Sequence, residues 1–494
     1  MIMQLATLLE GLTYECAGGA DAIDVTAVVN DTRKVVPGCL FICITGARFD
    51  AHEKAAEAAA NGARVIVTEK DVTLPKETEA VEVRVEDTRY AMALISAAWF
   101  GHPAKKLKTI GITGTKGKTT TTFLIRDMLA RAGRSCGLIG TIEYIIGDAH
   151  IPATNTTPES YDLQEMLAKM VDAGCDSVVM EVSSQALMLH RTAGIQFDIG
   201  IFTNLEADHI GEHEHKDFAD YMHCKSLLFR QCDLGIVNCD DAHCEGVTKG
   251  HTCKLLTVGF SETADLKALN LAYIRKAGAL GVFFDTEGAV SLHAEIANPG
   301  RFSVYNALSA IAVAHALGCD TEVIRAALKE ARVKGRIEMI PVSEKYTLMI
   351  DYAHNAMALK SLLTTLRDYR PGRLVCLFGC GGNRARDRRF EMGEVSGRYA
   401  DLTIITSDNP RDEDPQAIID DIRTGMAKTD GEYVEITDRR EAIHYAMEHA
   451  EDGDIIVLAG KGHEDYQEIK GVKYPMDERD IVREIAEELY GNLR

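Results

Sequence analysis

Residues 113–120 read Thr-Gly-Thr-Lys-Gly-Lys-Thr-Thr, between the apolar run Leu107-Lys108-Thr109-Ile110-Gly111-Ile112 and the helical pattern Phe123-Leu124-Ile125-Arg126-Asp127-Met128-Leu129. A strand that feeds a glycine-rich turn into a helix N-terminus aims several unpaired backbone N–H groups, and the positive end of the helix dipole, at one spot. Lys118 adds a mobile cation there and Thr119 a hydroxyl suited to Mg2+, the electrostatics a triphosphate demands. The segment predicts an ATP site at Gly114, Thr115, Lys116, Gly117, Lys118, Thr119 and Thr120. Gly111 lies six residues before Gly117 where the common phosphate loop has five, so a variant loop is expected.

Two more groups belong with that loop. Glu181 ends the run Val178-Val179-Met180, and Asp208-His209 follows Ile201-Phe202-Thr203-Asn204. A carboxylate and an imidazole at neighbouring strand ends, beside the loop threonine, suit Mg2+ bridging phosphate oxygens. His213, His215 and His223 form no H-x-x-x-H helix with a third ligand and read as surface histidines, so no zinc site is expected.

Further along, polar segments follow apolar runs at Asp351-Tyr352-Ala353-His354, Gly379 to Arg384, Ser407 to Arg411 and Gly460 to Glu464. In an open parallel sheet the carboxyl ends of the strands line one crevice, where Arg384 and Arg411 can grip a carboxylate with their planar forks. Each segment taken singly is equally a polar turn.

The elements that must position these residues follow a strand-then-helix rhythm. Residues 1 to about 102 alternate short apolar runs with helical stretches, and Gly101-His102-Pro103 breaks the helix ending in Trp99-Phe100. Cys136 to Ile142, Ser177 to Val182, Ile199 to Thr203 and Leu234 to Val237 are apolar runs separated by helix-length segments, which predicts a parallel sheet. The pattern restarts near Val333 to Arg336, with strands expected at 347–350, 374–378, 402–405 and 455–458. The fold class is α/β in three domains: a smaller N-terminal α/β domain over 1–103, a central mostly parallel P-loop-type domain over 104–334, and a doubly wound Rossmann-like domain over 335–494.

Composition narrows the function classes. With 494 residues, 46% hydrophobic and 26% charged, the chain has a globular composition and no eighteen-residue apolar window to span a membrane. The start has no basic segment before an apolar stretch, so no secretory signal is read and a cytoplasmic location is expected. Thirteen cysteines without a C-x-x-C pair fit reduced thiols better than disulfides or zinc. A net charge of −21 repels nucleic acid and anionic membranes, so an anionic ligand must be held by local basic groups.

Taken together, TGTKGKTT at 113–120, NTTP at 155–158, MEVSSQAL at 180–187, HR at 190–191, DHIGEH at 208–213, YNALSA at 305–310, DYAH at 351–354, GCGGNR at 379–384, DNPR at 408–411 and GKGHEDYQ at 460–467 occur in one order. Across nearly the whole chain this resembles the Mur ligases of peptidoglycan synthesis, and within them the branch that adds the third residue of the stem peptide. The resemblance implies an ATP- and Mg2+-dependent amide ligase that activates the terminal D-Glu carboxylate of UDP-MurNAc-L-Ala-D-Glu as an acyl phosphate, which an amine then displaces.

Carried over by motif, the resemblance makes Lys118, Glu181, His209 and Lys225 the catalytic group. Thr119, Glu181, His209 and Lys225 would surround metal, with Lys225 carbamylated to N6-carboxylysine. Asn306 and Asp351 would hold the nucleotide, and Arg336 and His354 would face its phosphates. Thr32 would meet the uridine end in the N-terminal domain, although Thr32-Arg33 alone reads equally as a surface turn. Asn155, Thr156, Thr157, Ser183 and Arg191 would hold the peptide and its carboxylates.

Asp408-Asn409-Pro410-Arg411 is similar to the form that selects meso-diaminopimelate. Arg384 and Arg411 would take its far carboxylate, and Gly460 and Glu464 the distal amino-acid end. An Arg fork facing the bare ammonium of lysine would repel it. The chain departs from the family pattern at Leu189, Glu206-Ala207, Lys334 and Asn355-Ala356-Met357. A lysine-adding ligase, a folylpolyglutamate-synthase-like ligase and a catalytically silent nucleotide-binding protein are the alternatives. A monomer is expected.

Overall fold

The computed structural model describes residues 2–16, 19–20, 23–46, 49–211, 214–276 and 278–491. The chain forms two compact units, Met1–Asp265 with Ser309–Cys319, and Leu266–Leu308 with Asp320–Arg494.

The first unit carries a five-stranded sheet in the order Tyr14–Cys16, Val81–Val85, Val65–Thr68, Leu40–Ile42, Val28–Val29, parallel except at the Tyr14–Cys16 edge. The helix Thr88–Trp99 packs on it, capped by Asp87, whose carboxylate accepts from Tyr90 N at 2.8 Å. Gly101 and His102, both at positive φ, then turn the chain into Pro103 and the next sheet.

That sheet has a parallel core ordered Cys136–Ile139, Ser177–Glu181, Lys108–Thr113, Phe197–Phe202, Cys232–Asn238, Lys254–Gly259. Antiparallel strands Glu143–Ile146 and Ala149–Pro152 extend it beyond Cys136–Ile139. The strand Ser177–Glu181 is buried along its whole length, the pattern of a parallel strand covered on both faces. Lys108–Thr113 is central, so the loop that leaves it opens at the carboxyl edge of the sheet.

The second unit is built on a six-stranded sheet in the order Glu338–Ile340, Thr347–Asp351, Ile455–Ala459, Leu374–Phe378, Leu402–Ile405, Glu432–Glu435, parallel except for the first strand. The four strands expected from the apolar runs are all present. This unit also holds an antiparallel meander, Leu266–Lys276, Ala279–Gly288 and Leu292–Ile296, which the strand-then-helix reading did not anticipate. Its signal is weak because one face is exposed, and period-two alternation such as Leu266, Ala268 buried and Lys267, Leu269 partly open is easily lost in a polar stretch.

Candidate active site

The phosphate loop spans Gly114 to Gly117, between the strand ending at Thr113 and the helix Lys118–Arg131. Gly111 is not part of it. It lies inside the strand, where a Cβ would meet the Phe197 ring at 3.0 Å, so the spacing anomaly reflects a packing glycine and the loop glycines are Gly114 and Gly117. Gly114 (φ 147) admits no side chain, because a Cβ there would lie 2.0 Å from Thr203 Oγ1. Asn204 braces the loop: its carbonyl accepts from Thr115 N at 2.9 Å, its Oδ1 from Lys116 N at 2.9 Å, and its Nδ2 donates to Lys116 O at 2.9 Å. Lys118 folds back, its Nζ donating to Gly114 O at 2.9 Å and Thr115 O at 3.1 Å. Thr120 is buried in the first turn of the helix. The departure at Glu206 docks here too, its carboxylate 2.7 Å from Lys116 Nζ.

Thr119, in the first turn of the helix after the loop, and Glu181, at the end of the neighbouring strand, meet. Thr119 Oγ1 donates to Glu181 Oε1 at 2.9 Å, and Thr141 donates to the same carboxylate through its N–H at 2.9 Å and its hydroxyl at 3.1 Å. Glu181 is 1% exposed and these donors are neutral. A carboxylate buried among hydroxyl oxygens is a set that fits a hard divalent cation. Thr141 and Asn204 were missed in the sequence. Asn204 stands just past a strand, which is the signal that could have found it, whereas Thr141 lies inside the run read as Cys136 to Ile142, although the strand itself stops at Ile139.

Lys225 is fully buried near the end of the helix Phe218–Ser226. Its Nζ donates to Gly114 O at 2.9 Å and lies 4.4 Å from the centre of the Tyr221 ring, whose Oη is 3.1 Å from Thr115 Oγ1. Burial, and then the nearby Lys118 ammonium, push its pKa well below the usual lysine range. His209, at φ 55, is more open to solvent, with Nδ1 3.2 Å from Glu214 Oε1.

His215 is a correction to the surface reading: it is fully buried, with Nε2 2.8 Å from Ser184 Oγ and Nδ1 3.1 Å from Asp220 Oδ2. A burial that complete needs both ring nitrogens paired; Asp220 on the following helix and Ser184, from a segment distant in sequence, supply the partners. His223 is exposed, and His213 lies outside the described residues.

The peptide-site candidates gather next to Glu181. Thr157 Oγ1 donates to Glu181 O at 2.9 Å and accepts from Ser183 N at 3.1 Å, and Ser183 caps the helix Ser184–Met188. Arg191 Nη1 donates to Thr157 O at 2.9 Å, and its Nη2 pairs with Glu159 at 2.6 Å. Thr156 Oγ1 is 3.1 Å from Thr141 Oγ1, and Asn155 is held by Tyr144 Oη, which donates to its carbonyl at 2.6 Å. Thr32 stands on another element, the 3-10 turn Thr32–Lys34 beside the five-stranded sheet.

In the second unit, Asp351 accepts from Ile337 N and Ala353 N, each at 2.8 Å. The Arg336 guanidinium lies 4.6 Å from the centre of the Tyr352 ring, and the His354 ring packs on Tyr352 at 4.7 Å between centroids. Asn306 Nδ2 and Arg336 Nη1 are buried without a hydrogen-bond partner among the described residues, the mark of donors awaiting a ligand. The departure at Asn355 caps the helix Ala356–Arg367, accepting from Ala358 N at 2.8 Å.

The loops after Phe378 and Ile405 are pressed backbone to backbone. A Cβ on Gly382 would sit 1.9 Å from Pro410 O. Arg384 Cγ and Arg411 Nη1 both flank Gly381, within 3.8 and 3.0 Å of where its Cβ would be. Arg384 is exposed, whereas Arg411 (φ 51) already pairs through Nε with Glu468 at 3.0 Å and donates from Nη1 to Gly382 O at 2.7 Å. Asn409 Nδ2 donates to Glu464 Oε2 at 2.8 Å, and the Asp408 carboxylate lies against Gly460. Lys461, unassigned from sequence, is fully buried at the centre of this group, 3.2 Å from Asn409 Oδ1, 3.3 Å from Glu464 and 3.9 Å from Asp408.

Known proteins resemble the chain along its whole length. Family models described as Mur ligase family catalytic domain, Mur ligase middle domain, and Mur ligase glutamate ligase domain match residues 24–100, 112–314 and 335–462. A UDP-N-acetylmuramoyl-L-alanyl-D-glutamate--2,6-diaminopimelate ligase from Caldanaerobacter subterraneus subsp. tengcongensis is 43% identical over 98% of this chain and 99% of its own. A protein of the same name from Clostridium botulinum is 40% identical over 99% and 100%. A solved structure of a ligase so named superposes with a TM-score of 0.73 at 30% identity, covering 100% of both chains, and shares the α/β three-domain architecture. With the phosphate loop, the buried strand-end carboxylate and these full-length matches in agreement, the chain belongs to the Mur ligase family.

Proposed function

We propose that the chain joins meso-2,6-diaminopimelate to UDP-MurNAc-L-Ala-D-Glu with consumption of ATP, in cytoplasmic peptidoglycan precursor synthesis. That it is an ATP-dependent amide ligase follows from its family. The chemistry rests on one observation above the rest: Lys118, Thr119, Glu181 and Lys225, from three separate segments, converge around Gly114 and the helix N-terminus.

The chemistry asked of these residues is neutralisation and alignment, because a carboxylate oxygen must approach a phosphoryl group that is itself anionic. The attacking D-Glu oxygen forms a bond to the γ-phosphorus, the bond to the β,γ-bridging oxygen breaks, and ADP leaves. The amine nitrogen of the incoming amino acid then bonds to the acyl carbon, phosphate departs, and the amine proton passes to solvent. In our reading Lys118 swings from the Gly114 and Thr115 carbonyls to the phosphates. Arg191, already oriented by Thr157 and Glu159, takes a substrate carboxylate.

Thr119 and Glu181 fit Mg2+, with His209 and a carbamylated Lys225 as further ligands. When bound, Mg2+ supplies positive charge to the phosphate oxygens. Burial and the Lys118 ammonium favour the neutral amine of Lys225, the form that adds CO2 with loss of a proton, and the resulting carbamate would offer anionic oxygen donors to the metal. Asn306 and Asp351 hold the nucleotide in this reading, with Arg336 and His354 at its phosphates and Thr32 at the uridine end.

For the amino acid, Arg384 and Arg411 receive the far carboxylate, and Asp408, Asn409, Pro410, Gly460 and Glu464 shape the amino-acid end. The domain division that goes with this is 1–103 for the uridine nucleotide, 104–334 for ATP and 335–494 for the amino acid. Among the described residues no helix is long and apolar enough to cross a membrane. We propose a monomer as the working unit.

The test is ligation with UDP-MurNAc-L-Ala-D-Glu, ATP and Mg2+, offering meso-diaminopimelate or L-lysine, with product mass as readout. Product from diaminopimelate alone supports the assignment. Product from lysine overturns the selectivity, and no product from either overturns the substrate reading.

A further inference from the structure

The helix Phe218–Ser226 presents Asp220 and Cys224 one turn apart on the same face, directly before Lys225. His215 reaches that face from the preceding loop. One ligand atom from each, His215 Nδ1 or Nε2, an Asp220 oxygen and Cys224 Sγ, all lie within 4.8 Å of one another. His215 is 0% exposed and Cys224 3%, while the Asp220 side chain, at 22%, is the edge open to solvent. A hydrogen-bonded line from Ser184 through His215 to Asp220 uses the imidazole and the carboxylate but not the sulfur. The third donor completes a set that such a line leaves unexplained.

We propose that His215, Asp220 and Cys224 form a site for a thiophilic divalent cation of the Zn2+ class, separate from the Thr119 and Glu181 position. The donor types are those that favour zinc over magnesium: imidazole nitrogen, one carboxylate and a thiolate. Ser184 Oγ, 2.8 Å from Nε2, accepts the proton of the ring nitrogen opposite the metal, the outer partner that fixes a ligating histidine. Binding displaces the thiol proton to solvent.

The site also has a mechanical consequence. His215 N donates to His209 O at 3.0 Å and Gly211 N donates to His215 O at 3.1 Å, so the backbone carrying His209 is tied to His215. A cation at this site clamps the His209 loop to the helix that carries Lys225. The binding stands independently of the ligase reaction, whereas the clamp's effect on turnover rests on the proposed function.

The experiment uses the full chain, stripped of metal by chelator dialysis and titrated with Co2+ in the presence of excess Mg2+. The expected result is one equivalent of Co2+ with a thiolate-to-cobalt charge-transfer band in the near ultraviolet. Zn2+ abolishes the band, Cys224→Ser eliminates it, and Cys244→Ser leaves it unchanged. Asp220→Asn and His215→Gln weaken Co2+ binding by about a hundredfold.

No band in the unmodified chain, or an undiminished band in Cys224→Ser, overturns the site. If Cys224→Ser does not fold, Asp220→Asn decides, since unchanged affinity there also overturns it. The cobalt spectrum is indifferent to ligase activity, so a chain that binds Co2+ but makes no peptide product contradicts the substrate reading alone. A chain that ligates but shows no band contradicts the metal site alone.

Discussion

Lys118 and Lys225 direct their Nζ atoms to the same acceptor, the carbonyl oxygen of Gly114, each at 2.9 Å. One comes from the first residue of the phosphate-loop helix and the other from the helix Phe218–Ser226, far along the chain. Two full ammonium charges cannot share one buried carbonyl cheaply, and the more deeply buried group yields its proton. That is Lys225, held well below the usual lysine range by burial first and Lys118 second.

Carbamylation follows from a neutral amine. We expect CO2-depleted enzyme to lose most of its ligase activity, bicarbonate to restore it, and intact-protein mass spectrometry to show one added CO2 that Lys225→Arg lacks. The depressed folded pKa also sets a sign. Between it and the unfolded value the unfolded chain binds more protons, so this group's contribution to stability improves as pH rises through that window. Activity recovered by bicarbonate in Lys225→Arg would remove the carbamate from the mechanism.

Glu181 and Thr141 separate charge from orientation. Glu181→Gln keeps the shape but not the anion, and kcat is expected to fall by about a hundredfold or more with a raised Mg2+ requirement. Thr141→Ala retains the backbone donor and loses the hydroxyl bond to Oε2, a hydrogen bond to a charged group that contributes about 1.5–3 kcal/mol. The expected loss is about ten- to a hundredfold. Mg2+ titrations of both variants that match the wild type would refute the assignment.

At the amino-acid end, Arg384→Ala removes an exposed fork that makes no hydrogen bond or ion pair among the described residues. It should raise KM for diaminopimelate by about a hundredfold while leaving KM for ATP unchanged. Arg411→Ala should do the same and also lower thermal stability, because that guanidinium braces Glu468 and Gly382 O. Steady-state kinetics in both substrates, with a melting curve for each variant, tests the pair.

Arg439 and Glu478 form a fully buried ion pair, 2.7 Å apart. Arg439 also donates to Ser407 O, just before Asp408, and to Ala459 O, the strand end before Gly460. Glu478→Gln leaves the guanidinium buried without its counter-charge and should destabilise the unit by about 3–5 kcal/mol. Denaturant unfolding measures it, and a loss under about 1 kcal/mol would contradict the role given to the pair.

His463 supplies a pH test. Burial, then Arg336, Lys334 and Arg479, push its imidazole down to about 3. The unfolded chain binds the extra proton between about 3 and the ordinary histidine value, so stability is lost as pH falls through that window. His463→Gln should flatten the acid limb of unfolding free energy against pH, and an unchanged slope would count against it.

Much of the chemistry was readable in one dimension because it is local. The phosphate loop needs only a strand, two glycines and a helix start that are contiguous from Lys108 to Arg131, and strand-end residues such as Glu181 and Asp351 follow from where an apolar run stops. The parallel strands declared themselves because burial on both faces makes them continuously apolar. The antiparallel meander over 266–296, half exposed, did not.

Partners across the fold were decided by tertiary structure alone. No sequence spacing relates Thr141 to Glu181, His215 to Ser184, or Lys461 to Asp408 and Asn409, since each pair meets only after separate segments are packed together. The same holds for protonation. Lys225 and His463 are ordinary by type, and only burial beside other cations, a property of the packed interior, moves their charge.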